Sequence, residues 1–218
     1  MEPERPFLDR ASAGRQLAQA LMVYAYRPDV AVLGLPRGGI PVAYEIAMAL
    51  GLPLAVYLVR KLGVPNQPEL AMGAIATGGV RYLNPDIIAQ SHVSPMELET
   101  ITHREQQELD RRDRLYRQGR PPLPLNGKII ILTDDGIATG ATMFAALSSL
   151  RQYTPQKLVA AIPVAPAESE QALRERADEV VCLRTPSPFY AVGQWYNHFE
   201  QVGDEEVCRL LNLANANP

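Results

Sequence analysis

Apolar runs alternate with helical patterns along most of this chain. The runs DVAVLGL, LAVYLV, KIIILT, KLVAAIPV and EVVCL predict five strands, and their nearly continuous apolar character is typical of strands buried on both faces of a sheet. Helical patterns follow three of them, in IPVAYEIAMAL, ATMFAALSSLRQ and AESEQALRERA. This order predicts an α/β fold with an open, mostly parallel five-stranded sheet and helices on both faces.

The first helix is expected before the first strand. A start near Asp9 would place Ala13, Leu17, Leu21 and Tyr24 on one face, which is the spacing of an amphipathic helix packed on a core. This segment precedes a predicted core of residues 27–183.

Two segments interrupt the alternation. Residues 62–83 carry little charge and two prolines, which predicts a long mobile loop running into a short hairpin. Residues 84–120 predict a helical insertion, because Ser94, Pro95 and Glu97 form a capping box with proline at the first helical position, and Gly119 ends the pattern. Its thin apolar stripe and alternating charges favour a solvated helix packed along one edge, with a nucleic-acid-binding helix as the alternative.

Composition limits the partners. The chain has 24 acidic and 21 basic residues and a formal charge of −3, so it offers no general attraction for nucleic acid or an anionic membrane. Its charged N-terminus does not resemble a signal peptide, and no run approaches the roughly 20 apolar residues of a membrane span. We therefore expect a soluble, cytoplasmic protein.

The tetrapeptide IATG occurs twice, and only the second copy has the surroundings of a phosphate site. That copy lies between a strong strand and a strong helix, at the edge where open α/β sheets bind ligands. Gly140 allows a tight turn, Thr139 and Thr142 add hydroxyl donors, and the helix N-terminus favours an anion. The backbone of Ala138, Thr139, Gly140, Ala141 and Thr142 is the predicted phosphate loop, whereas the first copy predicts a hairpin turn.

Asp134 and Asp135 directly precede this loop. Two carboxylates beside a phosphate are unfavourable unless something lies between them, and ribose hydroxyls or a Mg²⁺ ion would serve. An ordinary acidic turn at a strand end is the alternative interpretation.

The segment TDDGIATGAT resembles the phosphoribosyl pyrophosphate (PRPP) motif of type I phosphoribosyltransferases, and the resemblance extends from about Val30 to Leu183. It implies that Asp134 and Asp135 bind the ribose hydroxyls. Mg²⁺ is the implied cofactor, and the same two carboxylates are its implied ligands. It also implies that residues 138–142 bind the 5′-phosphate. Gly136 stands where the family usually has an apolar residue.

Two further segments fit the same scheme. PRGG resembles the pyrophosphate loop of the family, which implicates Arg37, Gly38 and Gly39 and implies a cis peptide between Pro36 and Arg37; taken alone, PRGG is a turn before a helix. VRKL follows the second predicted strand and places Arg60 and Lys61 at the carboxyl end of the sheet, where the family has basic residues facing pyrophosphate. The resemblance thus implies Asp134, Asp135, Lys61 and Arg37 as the catalytic set, with residues 62–83 as the lid.

The aromatic tail implies a base pocket. Phe189, Tyr190, Trp195 and Tyr196 lie within eight residues, and YAVG resembles the segment of purine phosphoribosyltransferases in which an aromatic ring stacks on the base. This implies Tyr190, with Phe189 and Trp195, as base-binding residues; a small hydrophobic core is the alternative.

Residues 1–26 and 184–218 are expected to form a hood over the carboxyl edge of the sheet.

The function implied is transfer of a 5-phosphoribosyl group from PRPP to a nitrogenous base, with release of pyrophosphate and a possible homodimer as the assembly. The alternative is a non-catalytic PRPP or nucleotide sensor, which would need the phosphate cradle but not the lid. A hydrolase finds no support, because GxSxG and HExxH are absent and the histidines are dispersed. The acceptor is open, although Ala138 and Asn197 stand where the 6-oxopurine enzymes have acids.

Overall fold

The computed structural model describes residues 5–216, except for the side chains of residues 68 and 69. Five of its strands are β1 Val30–Gly34, β2 Leu54–Val56, β6 Ile129–Thr133, β7 Lys157–Val164 and β8 Glu179–Arg184. They form a parallel sheet in the order β2-β1-β6-β7-β8. The predicted five-stranded parallel core is confirmed.

Side chains of the central strands alternate between two apolar layers. Val30, Val32 and Ile131 pack in one cluster, while Ala31 and Leu33 pack in the other. A strand turns successive side chains to opposite faces, so both faces of the sheet are buried. The continuous apolar runs in the sequence have this cause.

Helices cover both faces. The first layer contains α1 (Arg10–Ala20), α2 (Gly39–Leu50) and α7 (Asp204–Ala216), and the second contains α5 (Ala141–Leu150) and α6 (Ala167–Arg174). Asp9 caps α1 by accepting a hydrogen bond from the Ser12 amide. The four residues predicted for the buried face of the first helix are all buried: Ala13, Leu17, Leu21 and Tyr24.

The segment expected as a loop and hairpin forms a second sheet. Strands β3 (Val59–Val64), β4 (Gln67–Ala76) and β5 (Val80–Leu83) pair antiparallel in that order. The hairpin around the first IATG is confirmed, but the loop prediction was wrong for residues 62–64 and 67–76, because Leu62, Val64, Met72 and Ala74 are buried. Pro65 lies in the β3–β4 turn, where it removes no ladder donor.

The helical insertion is present as two helices, α3 (Pro85–Gln90) and α4 (Pro95–Arg117). Ser94 and Glu97 form the predicted capping box. Within α4 only Glu105, Leu109 and Tyr116 are buried, so this helix is largely solvated as expected.

The two terminal segments meet. Phe7 pairs with Tyr196 in an isolated β-bridge, and the amides of Asn197 and His198 donate to the carbonyls of Phe7 and Leu8. The division into a core and a hood stays a prediction, and residues 1–4 and 217–218 of the predicted hood lie outside the described residues.

Candidate active site

The candidate site lies where the strand order changes direction. Strands β1 and β6 are hydrogen-bonded neighbours, although β1 is followed in the chain by α2 and β2 on the other side. In open α/β sheets the loops that leave such a pair diverge and open a crevice at the carboxyl edge. The PRGG loop follows β1 and the TDDGIATGAT segment follows β6, so both predicted ligand loops lie at this crevice.

The two loops touch each other through glycines. A Cβ on Gly38 would overlap the carboxylate of Asp135, and a Cβ on Gly39 would lie 2.8 Å from the Asp134 Cα and 2.9 Å from the Thr133 carbonyl oxygen. No side chain fits at either position without moving backbone or a site carboxylate. The Pro36–Arg37 peptide between strand and glycines is cis, as the family resemblance implied.

The acidic pair is partly buried. The Asp135 amide donates to Asp134 Oδ1 at 2.8 Å, which fixes the first carboxylate against its neighbour. Burial raises the pKa of Asp134 well above its usual range, and the charge on Asp135 raises it further. Two adjacent, partly buried carboxylates repel each other, an arrangement that is frequent at ligand-binding sites.

Arg10 binds Asp135 from the start of α1, a contact that sequence reasoning missed. Its Nε donates to Asp135 Oδ2 at 2.8 Å, its Nη1 donates to the Glu200 carbonyl at 2.8 Å, and its guanidinium lies 3.8 Å from the centre of the Phe199 ring. Burial raises the pKa of Asp135, while the ion pair with Arg10 opposes that shift. No sequence motif marks Arg10, because its partner lies 125 residues away.

Tyr196 also supports the acidic pair. Its hydroxyl donates to the Asp135 carbonyl oxygen at 2.5 Å, and its ring is stacked on Phe199 with centroids 4.9 Å apart. Tyr196 therefore links the aromatic segment after β8 to the acidic pair. The sequence pointed to its ring, but not to this hydrogen bond of its hydroxyl.

The predicted phosphate loop is fixed on one side by the neighbouring strand and helix. The Ile137 amide donates to the Val164 carbonyl at 3.0 Å, and Ser169 Oγ donates to the Ala138 carbonyl at 2.5 Å. Gly140 has φ +74°, which glycine adopts without strain, and the next residue begins α5. The first-turn amides of α5 have no intrahelical acceptor, so they can donate to an anion.

Local packing explains why Gly136 stands where the family usually has an apolar residue. Its φ is +154°, and a Cβ there would lie 2.6 Å from Val192 Cγ1. The segment containing Val192 thus packs directly on the turn after Asp135, and a larger residue at position 136 would displace it.

Arg37 lines a cavity of about 370 Å³ together with Arg10, Gly38, Asp135, Phe199, Gln201 and Val202. Its Nη1 lies 3.8 Å from Asp204 Oδ1 at the start of α7. A cationic side chain and both predicted loops therefore share one opening.

Arg60 and Lys61 lie elsewhere than expected within the fold. They belong to β3 of the antiparallel sheet, not to the end of β2. Both line a larger cavity of about 930 Å³, which is also lined by Thr142 of the predicted phosphate loop. The two basic residues are thus brought to the phosphate loop, but by the second sheet.

The predicted base-binding aromatics are separated by the structure. Tyr190 is 76% exposed, whereas Phe189 and Trp195 pack against a cluster of Phe7, Ala13, Val164 and Tyr196. A small hydrophobic core therefore accounts for Phe189 and Trp195. Tyr190 alone presents a free ring, two residues before the contact of Val192 with Gly136.

No preformed metal cage is seen in residues 5–216: no group of three or more His, Cys, Asp or Glu side chains is placed to hold an ion. Over the same residues, none of the helices combines the length and apolar character needed to cross a membrane.

Comparison with known proteins places this site in a family. The model of the phosphoribosyl transferase domain matches residues 9–198. Provisionally named phosphoribosyl transferases from two strains of Mycobacterium tuberculosis, CDC 1551 / Oshkosh and ATCC 25618 / H37Rv, are each 48% identical over 209 residues, which are 96% of this chain and 47% of theirs. The chain thus spans about half the length of these curated relatives.

A solved structure agrees over nearly the whole chain. The crystal structure of TT1426 from Thermus thermophilus superposes with a TM-score of 0.86 at 45% identity, covering 95% of this chain and 98% of that one. The parallel sheet, the paired loops and the matched family model lead to one conclusion: the chain belongs to the phosphoribosyl transferase domain family and has the type I phosphoribosyltransferase fold.

Proposed function

We propose that this protein transfers a 5-phosphoribosyl group from PRPP to a nitrogenous base and releases pyrophosphate. The observation that carries the proposal is the contact of Gly38 and Gly39 with Asp135 and Asp134, which joins the predicted pyrophosphate loop to the predicted ribose-binding acids. PRPP carries its pyrophosphate and its ribose hydroxyls on one ring, so the residues that bind these two parts have to lie side by side.

Each part of PRPP would have a matching set of groups. Asp134 and Asp135 accept hydrogen bonds from the ribose hydroxyls, and residues 138–142 with the N-terminus of α5 bind the 5′-phosphate. Arg37 and the Gly38–Gly39 backbone bind pyrophosphate, with Arg60 and Lys61 adding positive charge from β3. Catalysis then rests on positioning and on charge held near a cationic ribosyl centre, without a covalent intermediate.

The donor set suits a Mg²⁺ ion that enters with the substrate. The site offers two carboxylates, one of them paired with Arg10, so most ligands of the ion would have to be phosphate oxygens and water. Mg²⁺ is commonly bound in this way. When bound, it would offset the charge of the pyrophosphate leaving group.

Two residues and one aromatic ring bear on which base is the acceptor. Ala138 and Asn197 stand where the resemblance leads one to expect acids in 6-oxopurine enzymes, which weighs against hypoxanthine and guanine. Tyr190, with its exposed ring, is the residue available to stack on a base.

The test is a calorimetric titration with PRPP and Mg²⁺, followed by incubation with a pool of bases and measurement of pyrophosphate. Wild-type protein should bind PRPP and release pyrophosphate, and the double variant Asp134→Asn, Asp135→Asn should do neither while keeping its circular dichroism spectrum. PRPP binding without turnover of any base would favour the sensor. Unchanged PRPP affinity in the double variant would refute the assignment of the acids.

A further inference from the structure

The cavity of about 930 Å³ extends the candidate site beyond the residues assigned so far. One wall is β3 with the β3–β4 turn, the other is the N-terminal half of α4, and Thr142 lines it as well. Arg60, Lys61 and Thr142, which the proposed function assigns to phosphates, therefore share one cavity with residues of the helical insertion.

The N-terminal half of α4 borders this space, and it packs on the core through two partly buried side chains, Leu98 and Ile101. None of residues 95–104 is buried, whereas Leu109 and Tyr116 further along are 3% and 1% exposed. The C-terminal half anchors the helix, and the N-terminal half lies across the cavity. An element held in this way can contribute side chains to a ligand.

Charge at the cavity is organised by one buried carboxylate. Glu105, 9% exposed, accepts hydrogen bonds from Arg60 Nε at 2.8 Å and from Arg104 Nε at 3.1 Å. Two guanidinium groups on one carboxylate leave a net positive charge, and Lys61 is a third basic residue in the lining of the cavity. The second carboxylate lining the cavity, Glu97, caps α4 through the amide and hydroxyl of Ser94.

We propose that Arg104 is a further ligand for the phosphate groups of PRPP, with Glu105 as the positioning residue that orients Arg104 and Arg60. This inference rests on the proposed function. Arg104 lines the same cavity as the three assigned residues, and its side chain is 73% exposed, so an anion can reach it. A guanidinium has five N–H donors in a planar fork that suits phosphate oxygens, and Glu105 occupies only some of them.

The experiment measures PRPP binding by calorimetry, with Mg²⁺, for wild type, Arg104→Gln, Arg104→Lys and the control Arg114→Gln. Arg114 is an exposed arginine of the same helix that does not line the cavity, so the control removes the same charge from the same element. Loss of a charge-assisted hydrogen bond should weaken binding about tenfold in Arg104→Gln. Arg104→Lys should recover part of that loss, and the control should stay within about twofold.

Ionic strength separates a ligand from a structural support. If Arg104 meets the phosphates, the PRPP affinity of Arg104→Gln should fall less steeply with added salt than that of Arg114→Gln. Equal affinities or equal salt slopes in the two variants would overturn the inference. Failure of wild type itself to bind PRPP would instead refute the proposed function.

Discussion

At the scale of single residues, the site is built around carboxylates that the free protein holds at a cost. Asp134 and Asp135 lie side by side with little solvent, and Arg10 pairs with only the second. The Asp134 carboxylate accepts a hydrogen bond from the Asp135 amide. Carboxylates that repel each other in this way are typical of a binding site, where some stability is given up for function.

Asp134→Asn should therefore stabilise the free protein while it weakens PRPP binding. The asparagine Oδ1 can still accept from the Asp135 amide, and the charge repulsion is removed. Because the folded wild type retains a proton on Asp134 at a pH where the unfolded chain has lost it, wild-type stability falls as the pH rises through the raised pKa. Thermal unfolding should show a higher Tm for the variant at neutral pH, by about 2–4 °C per kcal/mol gained, and convergence in acid. A lower Tm at neutral pH would contradict this account.

Tyr190→Ala tests the base pocket. Stacking of a base on an aromatic ring is worth about 1–3 kcal/mol in single-strand binders, so the variant should bind a nucleoside monophosphate roughly ten- to a hundredfold more weakly. PRPP has no base and should bind almost as before. The control is Tyr26→Ala, which removes a ring of 77% exposure from the turn before β1. Equal losses for both ligands would mean that Tyr190 supports the fold and does not contact the base.

At the scale of elements, local patterns predicted most of the fold but not the partners of its elements. Periodicity and turn chemistry predict the five strands of the parallel sheet and the capping box of α4 to within a few residues. The sequence predicts the β4–β5 hairpin but a loop before it, because prolines and glycines weaken the strand pattern there. Strand β3 is covered by α4 and α5, helices that lie far away in the sequence. Arg10 had no signal at all, since its role arises from a contact between the first helix and the segment after β6.

The glycines that join two elements offer a test of the site's assembly. In Gly39→Ala the new Cβ meets the Asp134 Cα at 2.8 Å and the Thr133 carbonyl at 2.9 Å, and both belong to backbone. Overpacking of this kind costs about 1–3 kcal/mol, and it should also weaken PRPP binding by pushing the two loops apart. Gly203→Ala is the matched control, because a Cβ there meets nothing within 4 Å. Urea unfolding and PRPP titration of both variants give the comparison, and equal behaviour would show that the loops can separate without loss.

At the scale of the whole molecule, two segments far apart in the sequence, residues 7–10 and 196–200, converge on the site. Phe7 is 1% exposed, and the centre of its ring lies 5.4 Å from that of Tyr196. The Arg184 guanidinium lies 3.5 Å from the centre of the Phe7 ring. Tyr196 in turn donates to the Asp135 carbonyl, and Arg10 follows Phe7 by three residues. The N-terminal segment thus supports the acidic pair through two contacts, one apolar and one ionic.

Phe7→Ala should consequently impair both stability and ligand binding. Removing a buried phenylalanine costs about 3–5 kcal/mol of unfolding free energy. The cavity would free Tyr196 and the segment that carries Arg10, so PRPP affinity should fall even under conditions where the variant is fully folded. Leu8→Ala, at a neighbouring residue that is 52% exposed, should change neither. Urea unfolding gives the first quantity and calorimetry at low temperature the second. A destabilised Phe7→Ala protein with wild-type affinity for PRPP would show that the acidic pair is held by its own loop, and that residues 7–10 and 196–200 contribute only to the stability of the fold.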